Sequence, residues 1–395
     1  MEKIIKLQIV DNKIVLSDDF VSALKSFFSG CRVNFLLGAG FSATILGTLN
    51  NTEIIFQALD SYQLSSDIDR KKATIVKAYL YWSFFKKSIA PIVENISPYD
   101  SSFKPYISFG ENLYRIFSER SNPALDRQFN IFTTNYDPII ELIFDHSNFI
   151  CNDGFEGRII PRFSTDNYSK SYYRQAIFTN RKSEIPSLNL IKLHGSLTWQ
   201  KDIIEGGLLY QDYKAAIKYF RSKNEPLFND IILNRLETHF TASSDDEAKC
   251  QIADLLATDI FNDSLPNIDN YKGFITEYKN AILIVNPTKE KFSDTLLNKN
   301  YYELLRIFSN ELEKENSLLV VNGFSFRDEH ILDLVKRSMV NPSLKAIIFC
   351  YKESSISDYQ SLLGQPKNNN ITYVVLENDN LDLDYFNQIL FEIHM

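Results

Sequence analysis

Several features that mark common protein classes are scarce or missing in this chain of 395 residues. It has only four cysteines, and they lie far apart in the sequence: Cys31, Cys151, Cys250 and Cys350. No two of them have the short spacing of zinc ligands, and such sparse cysteines cannot form a dense disulfide framework. The sequence therefore argues against a zinc ribbon and a disulfide-rich secreted fold, and predicts reduced thiols, as in the cytosol.

Long apolar runs are missing as well. No run of about 18 apolar residues occurs, and the N-terminus from Met1 to Lys6 lacks the apolar segment of a signal peptide. We therefore expect a cytoplasmic protein that does not contact a membrane. A P-loop pattern is also absent, so any ATP chemistry would have to come from a partner.

Glycine is scarce, with 13 residues against 30 Phe and 21 Tyr, which indicates a packed globular chain. The length allows two domains or one large domain with insertions. The net charge is −8, so a broad electrostatic contact of the chain itself with nucleic acid is not expected.

Two of the few glycines follow an apolar run. Residues 33–37 carry no charge and predict a strand that is buried on both faces of a parallel sheet. Gly38 and Gly40 come next, and Ser42 is a candidate N-cap of a following helix, whose N-terminus favours a phosphate group. A tight strand-to-helix turn without a ligand explains the same residues, and the loop alone does not decide between the two.

Three further apolar runs each end in a short polar or glycine-containing motif. In an open parallel sheet, ligands bind outside the carboxyl ends of the strands, so these motifs are predicted at one ligand-binding edge. Asn135 and His194 have side chains suited to chemistry, whereas Asp137 is equally well explained as a cap for the helix that opens at Pro138. The runs are 129–133, 188–193 and 317–322, and the motifs are Thr134-Asn135-Tyr136-Asp137, His194-Gly195-Ser196 and Asn322-Gly323-Phe324-Ser325-Phe326.

Strand and helix patterns alternate along the chain. They predict an α/β fold with a doubly wound, Rossmann-like, mainly parallel sheet, two helical insertions and no zinc module. Residues 1–30 form an N-terminal leader, which either contacts another copy or packs on its own domain. Residues 31–395 form one large domain, with the helical insertions at about 45–125 and 200–278.

Two segments of the insertions allow more specific expectations. Residues 70–95 have a long helical pattern rich in aromatic residues, which either packs as core or lines a cofactor cavity. The short apolar run at 281–285 predicts a return of the chain to the sheet as a strand.

The four motifs, in this order and each after a predicted strand, resemble the sirtuin-like NAD-binding family, and within it the bacterial anti-phage defence branch. That branch carries a GAGFS loop, a TNYD motif, an HGS motif and a late G-x-S-F-x-D-x-H motif. These correspond to residues 38–42, 134–137, 194–196 and 323–330. The resemblance covers about residues 33–350 and implies that residues 31–395 are an NAD-binding catalytic domain.

The resemblance also implies roles for individual residues. Asn135 would orient the ribose and the attacking water, and His194 would be the general base. Asp137 would support the loop beside them. The residues implied to contact NAD⁺ are Gly38, Ala39, Gly40, Phe41, Ser42, Thr134, Asp137, Gly323 and Ser325.

The chain departs from the deacylating sirtuins, which carry paired C-x-x-C zinc ligands after the catalytic histidine. Between Ser196 and Ala281 this chain has only Cys250. The resemblance therefore implies an NAD⁺ hydrolase without zinc, which uses NAD⁺ as its substrate and acts in anti-phage defence by depleting NAD⁺.

The defence branch also implies partners: a homo-oligomer and a HerA-type hexameric ATPase, with DNA reached only through that ATPase. Two other functions remain open. One is a catalytically silent NAD-sensing or scaffold subunit of a nuclease or ATPase complex, and the other is a zinc-free NAD-dependent deacylase. The presence of both Asn135 and His194 favours an enzyme, because a pure binder needs no base beside the ribose.

Overall fold

The computed structural model describes residues 3–46, 52–64, 66–120, 122, 125–178, 180–242, 244–257, 266–285, 295–364 and 368–393. The chain forms two compact units. The sheet unit comprises Met1–Gly47, Ser97–His194 and Lys299–Met395, and the helical unit comprises Thr48–Ile96 and Gly195–Asn298.

The described residues form strands and α-helices, which are numbered here in chain order. The strands are β1 (Lys3–Val10), β2 (Lys13–Val15), β3 (Arg32–Leu37), β4 (Gln128–Thr133), β5 (Ile150–Asn152), β6 (Phe155–Glu156), β7 (Arg162–Phe163), β8 (Tyr173–Gln175), β9 (Lys182–Glu184), β10 (Ser187–Lys192), β11 (Trp199–Lys201), β12 (Leu208–Tyr210), β13 (Ser317–Asn322), β14 (Lys345–Phe349) and β15 (Ile371–Leu376). The α-helices are α1 (Asp18–Gly30), α2 (Ala39–Leu46), α3 (Thr52–Ser61), α4 (Asp67–Phe84), α5 (Ala90–Asn95), α6 (Lys104–Glu119), α7 (Ile139–Asp145), α8 (Tyr213–Asn224), α9 (Asp230–His239), α10 (Asp245–Ala257), α11 (Ile268–Ala281), α12 (Thr295–Glu313), α13 (Glu329–Ser338), α14 (Ser355–Leu363) and α15 (Leu383–Phe391).

The sheet unit is built on a nine-stranded sheet with the order β2-β1-β15-β14-β13-β3-β4-β10-β5. Every neighbouring pair is parallel except β1 and β2. The six strands β10-β4-β3-β13-β14-β15, numbered by their order in the chain, read 3-2-1-4-5-6, which is the Rossmann order. The predicted doubly wound, mainly parallel sheet is therefore confirmed.

The four predicted motifs follow four adjacent strands of this sheet. β13, β3, β4 and β10 lie side by side, and their apolar sequences are buried as expected for central parallel strands. Because parallel strands end at the same edge, the motifs meet at one edge of the sheet. The chain leaves β3 towards β4 on one side and later returns to β13 on the other, so the gap between β3 and β13 is the point where the winding reverses.

A row of asparagine side chains runs along four neighbouring strands, from β3 to the edge strand β5. Asn34, Asn130, Asn189 and Asn152 are in register on β3, β4, β10 and β5. The side-chain amide of Asn130 donates to Asn34 (2.8 Å), that of Asn189 to Asn130 (3.0 Å), that of Asn152 to Asn189 (3.0 Å), and that of Asn34 to Ser317 Oγ on β13 (2.9 Å). A slip of one residue would break every bond in the row, so the asparagines fix the register that aligns the strand ends.

The N-terminal segment joins the same sheet. β1 pairs with β15, and a turn with positive φ at Asp11 (50°) and Asn12 (60°) leads into β2. The backbone N–H of Ile14 donates to the side chain of Gln388 (3.1 Å), so one donor of the edge strand β2 is satisfied within the chain. The N-terminal leader is therefore a hairpin followed by helix α1, and an oligomer contact through it stays a prediction.

The helical unit has a core of stacked aromatic rings. Trp82 on α4 stacks on Phe228, with 4.9 Å between the ring centroids, and on Phe85 at 5.3 Å. Phe274 packs edge-on against Phe228 at 4.8 Å. The aromatic pattern at 70–95 is therefore packed core, which was the first of its two interpretations.

The prediction of a strand at 281–285 is wrong. Helix α11 continues to Ala281, and in the described part of this segment only Ile284 forms a bridge, an isolated antiparallel one with Gly195. Ile282, Leu283 and Ile284 are buried, so their apolar character reflects burial of a connection after a helix. A short apolar run does not distinguish this case from a strand.

No helix in the described ranges combines the length and the apolar composition that are needed to cross a bilayer.

Candidate functional site

The loops after β3 and β13 interlock where the winding of the sheet reverses. The backbone N–H of Gly38 donates to Asn322 O (3.1 Å), and that of Gly40 donates to Gly323 O (2.9 Å). A Cβ atom on Gly38 would lie 2.5 Å from Gly323 O, and one on Gly40 would lie 2.7 Å from Gly323 Cα. Gly323 itself has a φ of 67°. These three glycines are therefore required by the close approach of two backbones.

Helix α2 begins directly after Gly38. Ala39 and Gly40 are exposed, whereas Phe41 and Ser42 are buried. The ring of Phe41 packs on Tyr106, with 5.5 Å between centroids, so its side chain belongs to the core. Because Gly323 already accepts the Gly40 N–H, the turn at Ala39 is the part of the helix start that is best placed for an anion.

Asn135 is bonded directly to this glycine loop. Its side chain is buried, and Nδ2 donates to Gly38 O (3.0 Å) and to Ser42 Oγ (2.8 Å). Its backbone N–H donates to Thr133 Oγ1 (3.0 Å). The two side-chain bonds use both amide hydrogens, so the amide oxygen, for which no bond is seen among the described residues, is left for a ligand.

Asp137 bonds Ser42, the serine that also contacts Asn135. Its Oδ2 accepts a hydrogen bond from Ser42 Oγ (3.0 Å), while Oδ1 accepts one from the backbone N–H of Ile139 (3.0 Å). The carboxylate therefore caps the start of α7 and also holds the serine that bonds Asn135. Burial raises the pKa of Asp137, and the nearby charge of Lys192 offsets only part of this effect.

Lys192 is a buried cation next to Asp137. The sequence analysis assigned it no role. Its Nζ lies 2.7 Å from Glu141 Oε1 and donates to the backbone carbonyl of Asp137 (2.5 Å). Its side chain is 4% exposed, so it has to be paired. Burial raises the pKa of Glu141, and Lys192 lowers it by a smaller amount. A lysine inside a run predicted as a fully buried strand was the signal available in the sequence.

His194 is held by an acidic residue from the loop after β13. Its Nε2 lies 3.1 Å from Asp328 Oδ2, and the side chains are 22% and 10% exposed. His194 follows β10 and Asp328 follows β13, with β4 and β3 between them. Because adjacent strands are about 4.8 Å apart, the pair has to lie across the carboxyl ends of β3 and β4. It therefore shares this edge with Asn135 and the glycine loop.

Thr134 and Ser325 are the remaining predicted residues. The backbone N–H of Thr134 donates to Leu37 O (3.3 Å), and the side chain of Ser325 is exposed. Asp328 lies in the motif at 323–330, but the sequence analysis gave it no role; the structure shows it as the N-cap of α13. In the described ranges, no group of three or more His, Cys, Asp or Glu side chains is arranged to hold a metal.

One comparison, with models of protein families, agrees with the resemblance of the motifs. The model of the SIR2-like domain matches residues 130–244, a range that contains Asn135, Asp137 and His194. A solved structure of a Sir2 mutant with a p53 peptide and NAD is similar with a TM-score of 0.40 and 12% identity, over 94% of this chain and 97% of that chain. No curated protein has a significant sequence match to the chain. Residues 130–244 are therefore similar to a SIR2-like domain.

Proposed function

We propose that this chain is an NAD⁺ glycohydrolase, which cleaves NAD⁺ to nicotinamide and ADP-ribose. The observation that carries the proposal is the position of Asn135, whose amide is bonded to Gly38 and Ser42 and keeps its oxygen for a ligand. This position lies where the winding of a Rossmann sheet reverses, which is where such sheets bind dinucleotides. The SIR2-like match over residues 130–244 supports NAD⁺ as the dinucleotide.

The exposed start of α2 suits the charged part of the substrate. The turn at Ala39 presents a helix N-terminus, which favours the pyrophosphate. Gly323 packs on the glycine loop, and Ser325 is exposed two residues further on. The proposal assigns contacts with the adenosine ribose and phosphate to these two residues.

Cleavage of the glycosidic bond creates a charge that Asn135 can stabilise. The bond between the ribose C1′ and the nicotinamide nitrogen breaks, its electron pair leaves with neutral nicotinamide, and positive charge builds on the ribose. The oxygen of the Asn135 amide carries partial negative charge. Because it is fixed by two hydrogen bonds, it interacts more strongly with the charged transition state than with the ground state.

His194 completes the reaction as a general base. The oxygen of a water molecule bonds to C1′, and the imidazole takes the proton that this water loses. Imidazole accepts protons near neutral pH, and general-base help is typically worth about a hundred- to ten-thousand-fold in rate. The partial exposure of His194 gives water access to it.

The biological part of the proposal follows from the resemblance of the four motifs to the defence branch. NAD⁺ depletion during phage infection would require external control, which a HerA-type ATPase would provide to a homo-oligomer of this chain. The net charge of −8 agrees with DNA contact through the ATPase alone. Light scattering of the purified chain, with and without the ATPase, tests this part, and a monomer in both samples would contradict it.

The enzymatic proposal is tested by incubating the purified chain with NAD⁺, with and without the ATPase, and measuring nicotinamide and ADP-ribose by mass spectrometry. We expect His194→Ala and Asn135→Ala to lower turnover by at least about a hundredfold. His146→Ala is the matched control, because His146 is an exposed residue at the C-terminal end of α7 whose ring contacts the carbonyl of Leu142 and the ring of Tyr99. Full turnover in both site variants would remove them from the mechanism. Nicotinamide release that depends on an acylated peptide would indicate a deacylase, and NAD⁺ binding without turnover a sensing subunit.

A further inference from the structure

The two oxygens of the Asp328 carboxylate have different partners. Oδ1 accepts the backbone N–H of Ile331 (3.1 Å) and so caps α13, whereas Oδ2 lies 3.1 Å from His194 Nε2. A helix cap needs only one of these oxygens. The second oxygen therefore serves a contact that capping does not explain. The N-terminus of α13 also favours negative charge on Asp328, so it supports the carboxylate form that accepts a hydrogen bond.

The loop that carries Asp328 has an unusual backbone. Phe326 has a φ of 58°, a conformation that is costly for a bulky residue, and its side chain is fully buried. Its ring packs on Phe324 (5.1 Å between centroids) and on Tyr359 (5.8 Å). Core packing therefore holds the loop in a conformation that it would not adopt alone, and this conformation brings Asp328 to His194.

We propose that Asp328 is a positioning residue for His194. Its carboxylate accepts the Nε2–H of the imidazole, which fixes the ring and leaves the lone pair on Nδ1. In the proposed hydrolysis, on which the catalytic part of this inference rests, Nδ1 is then the atom that takes the proton from the attacking water.

Substitutions of Asp328 separate positioning from capping. Asp328→Ser keeps a good helix cap but is too short to reach the imidazole. Asp328→Asn keeps a cap and a neutral acceptor oxygen. Asp382→Ser is the matched control, because Asp382 caps α15 in the same way through the backbone N–H of Tyr385 (3.0 Å). Thermal unfolding of all three variants verifies that each is folded.

The first measurement is ¹⁵N NMR of the ring nitrogens of the whole chain in mildly alkaline buffer, with His194 assigned by comparison with His194→Gln. We expect wild type and Asp382→Ser to carry the proton on Nε2 of His194, and Asp328→Ser to show a mixture of the two tautomers. The same tautomer in wild type and Asp328→Ser would overturn the proposal. This measurement does not depend on any activity towards NAD⁺.

The second measurement is steady-state turnover of NAD⁺. We expect Asp328→Ser to lower kcat about 10- to 100-fold with little change in KM, the size of effect known for removal of partners that orient metal-binding histidines. Asp328→Asn should recover part of the loss. A loss of kcat in Asp382→Ser as large as that in Asp328→Ser would contradict positioning. If wild type has no turnover, the proposed function fails, while the NMR comparison still decides whether Asp328 orients His194.

Discussion

Two groups of residues lie at the same sheet edge but are built differently. We call them the Asn135 cluster, formed by Asn135, Asp137 and Ser42, and the His194 pair, formed by His194 and Asp328. Asn135 and Asp137 are 7% and 4% exposed, and Ser42 bonds both of them. His194 is 22% exposed and is held by Asp328 from another loop. A group that orients a charged transition state benefits from a rigid, buried setting, whereas a group that exchanges protons with water has to stay accessible. The difference matches the two proposed roles.

The two sites are joined by glycine backbone. Gly40 donates to Gly323, so the glycine loop that bonds Asn135 is tied to the loop that leads to Asp328. Three changes test how far the buried cluster and the accessible pair differ, and whether this glycine contact couples them.

The largest effect is expected at Lys192. Lys192→Met leaves Glu141 and the carbonyl of Asp137 buried without their cation, which we expect to lower the free energy of unfolding by about 3–5 kcal/mol. His194→Ala, which breaks a partly exposed pair, should cost about 1 kcal/mol or less. Urea unfolding of both variants measures the difference. Glu141→Gln should restore part of the stability in the Lys192→Met background, and equal losses in the two single variants would show that the two sites are not built differently.

A smaller effect is expected at the glycine contact. Gly38→Ala places a Cβ atom 2.5 Å from Gly323 O, so the two loops have to separate, at a cost of about 1–3 kcal/mol. Binding of NAD⁺, measured by calorimetry, should weaken at the same time. Gly30→Ala is the matched control, because no atom lies within 4 Å of its added Cβ. If Gly38→Ala binds NAD⁺ like Gly30→Ala, the glycine contact does not shape the site.

The smallest effect concerns pH. Burial raises the pKa of Glu141 from its ordinary value of 4.5, so the folded chain binds a proton more readily than the unfolded chain. The unfolding free energy should therefore fall as pH rises from about 4.5 through the folded pKa, by at most about 1.4 kcal/mol per pH unit for one proton. Burial raises the pKa of Asp137 as well, so Glu141→Gln should reduce this slope without abolishing it, as measured by urea unfolding at a series of pH values. His194→Ala should keep it, and the same slope in wild type and Glu141→Gln would rule out Glu141 as its source.

Some features that the sequence analysis missed were nevertheless visible in the sequence. Asn34, Asn130 and Asn189 each stand three residues before the end of an apolar strand. Parallel strands whose ends are aligned would place these asparagines side by side, so the row across the sheet could have been predicted. Lys192 was likewise a charge inside a run expected to be buried.

Other features had no local signal. The contact of Asp328 with His194 joins residues far apart in the chain, and it depends on the order of four strands and on the left-handed backbone of Phe326. Helix α14 and the short strands β5–β9 lie in polar segments without clear periodicity, so their assignment depended on tertiary packing.

The sequence by itself determined the alternation of strands and helices and placed the four motifs at strand ends, because burial on both faces demands apolar runs and tight turns demand glycine. The tertiary structure alone decided that the glycines serve a contact between two loops, that Lys192 neutralises a buried cluster, and that Asp328 reaches His194. These contacts depend on which strands are neighbours, and strand order is set by packing of the whole sheet, which no local stretch of residues encodes.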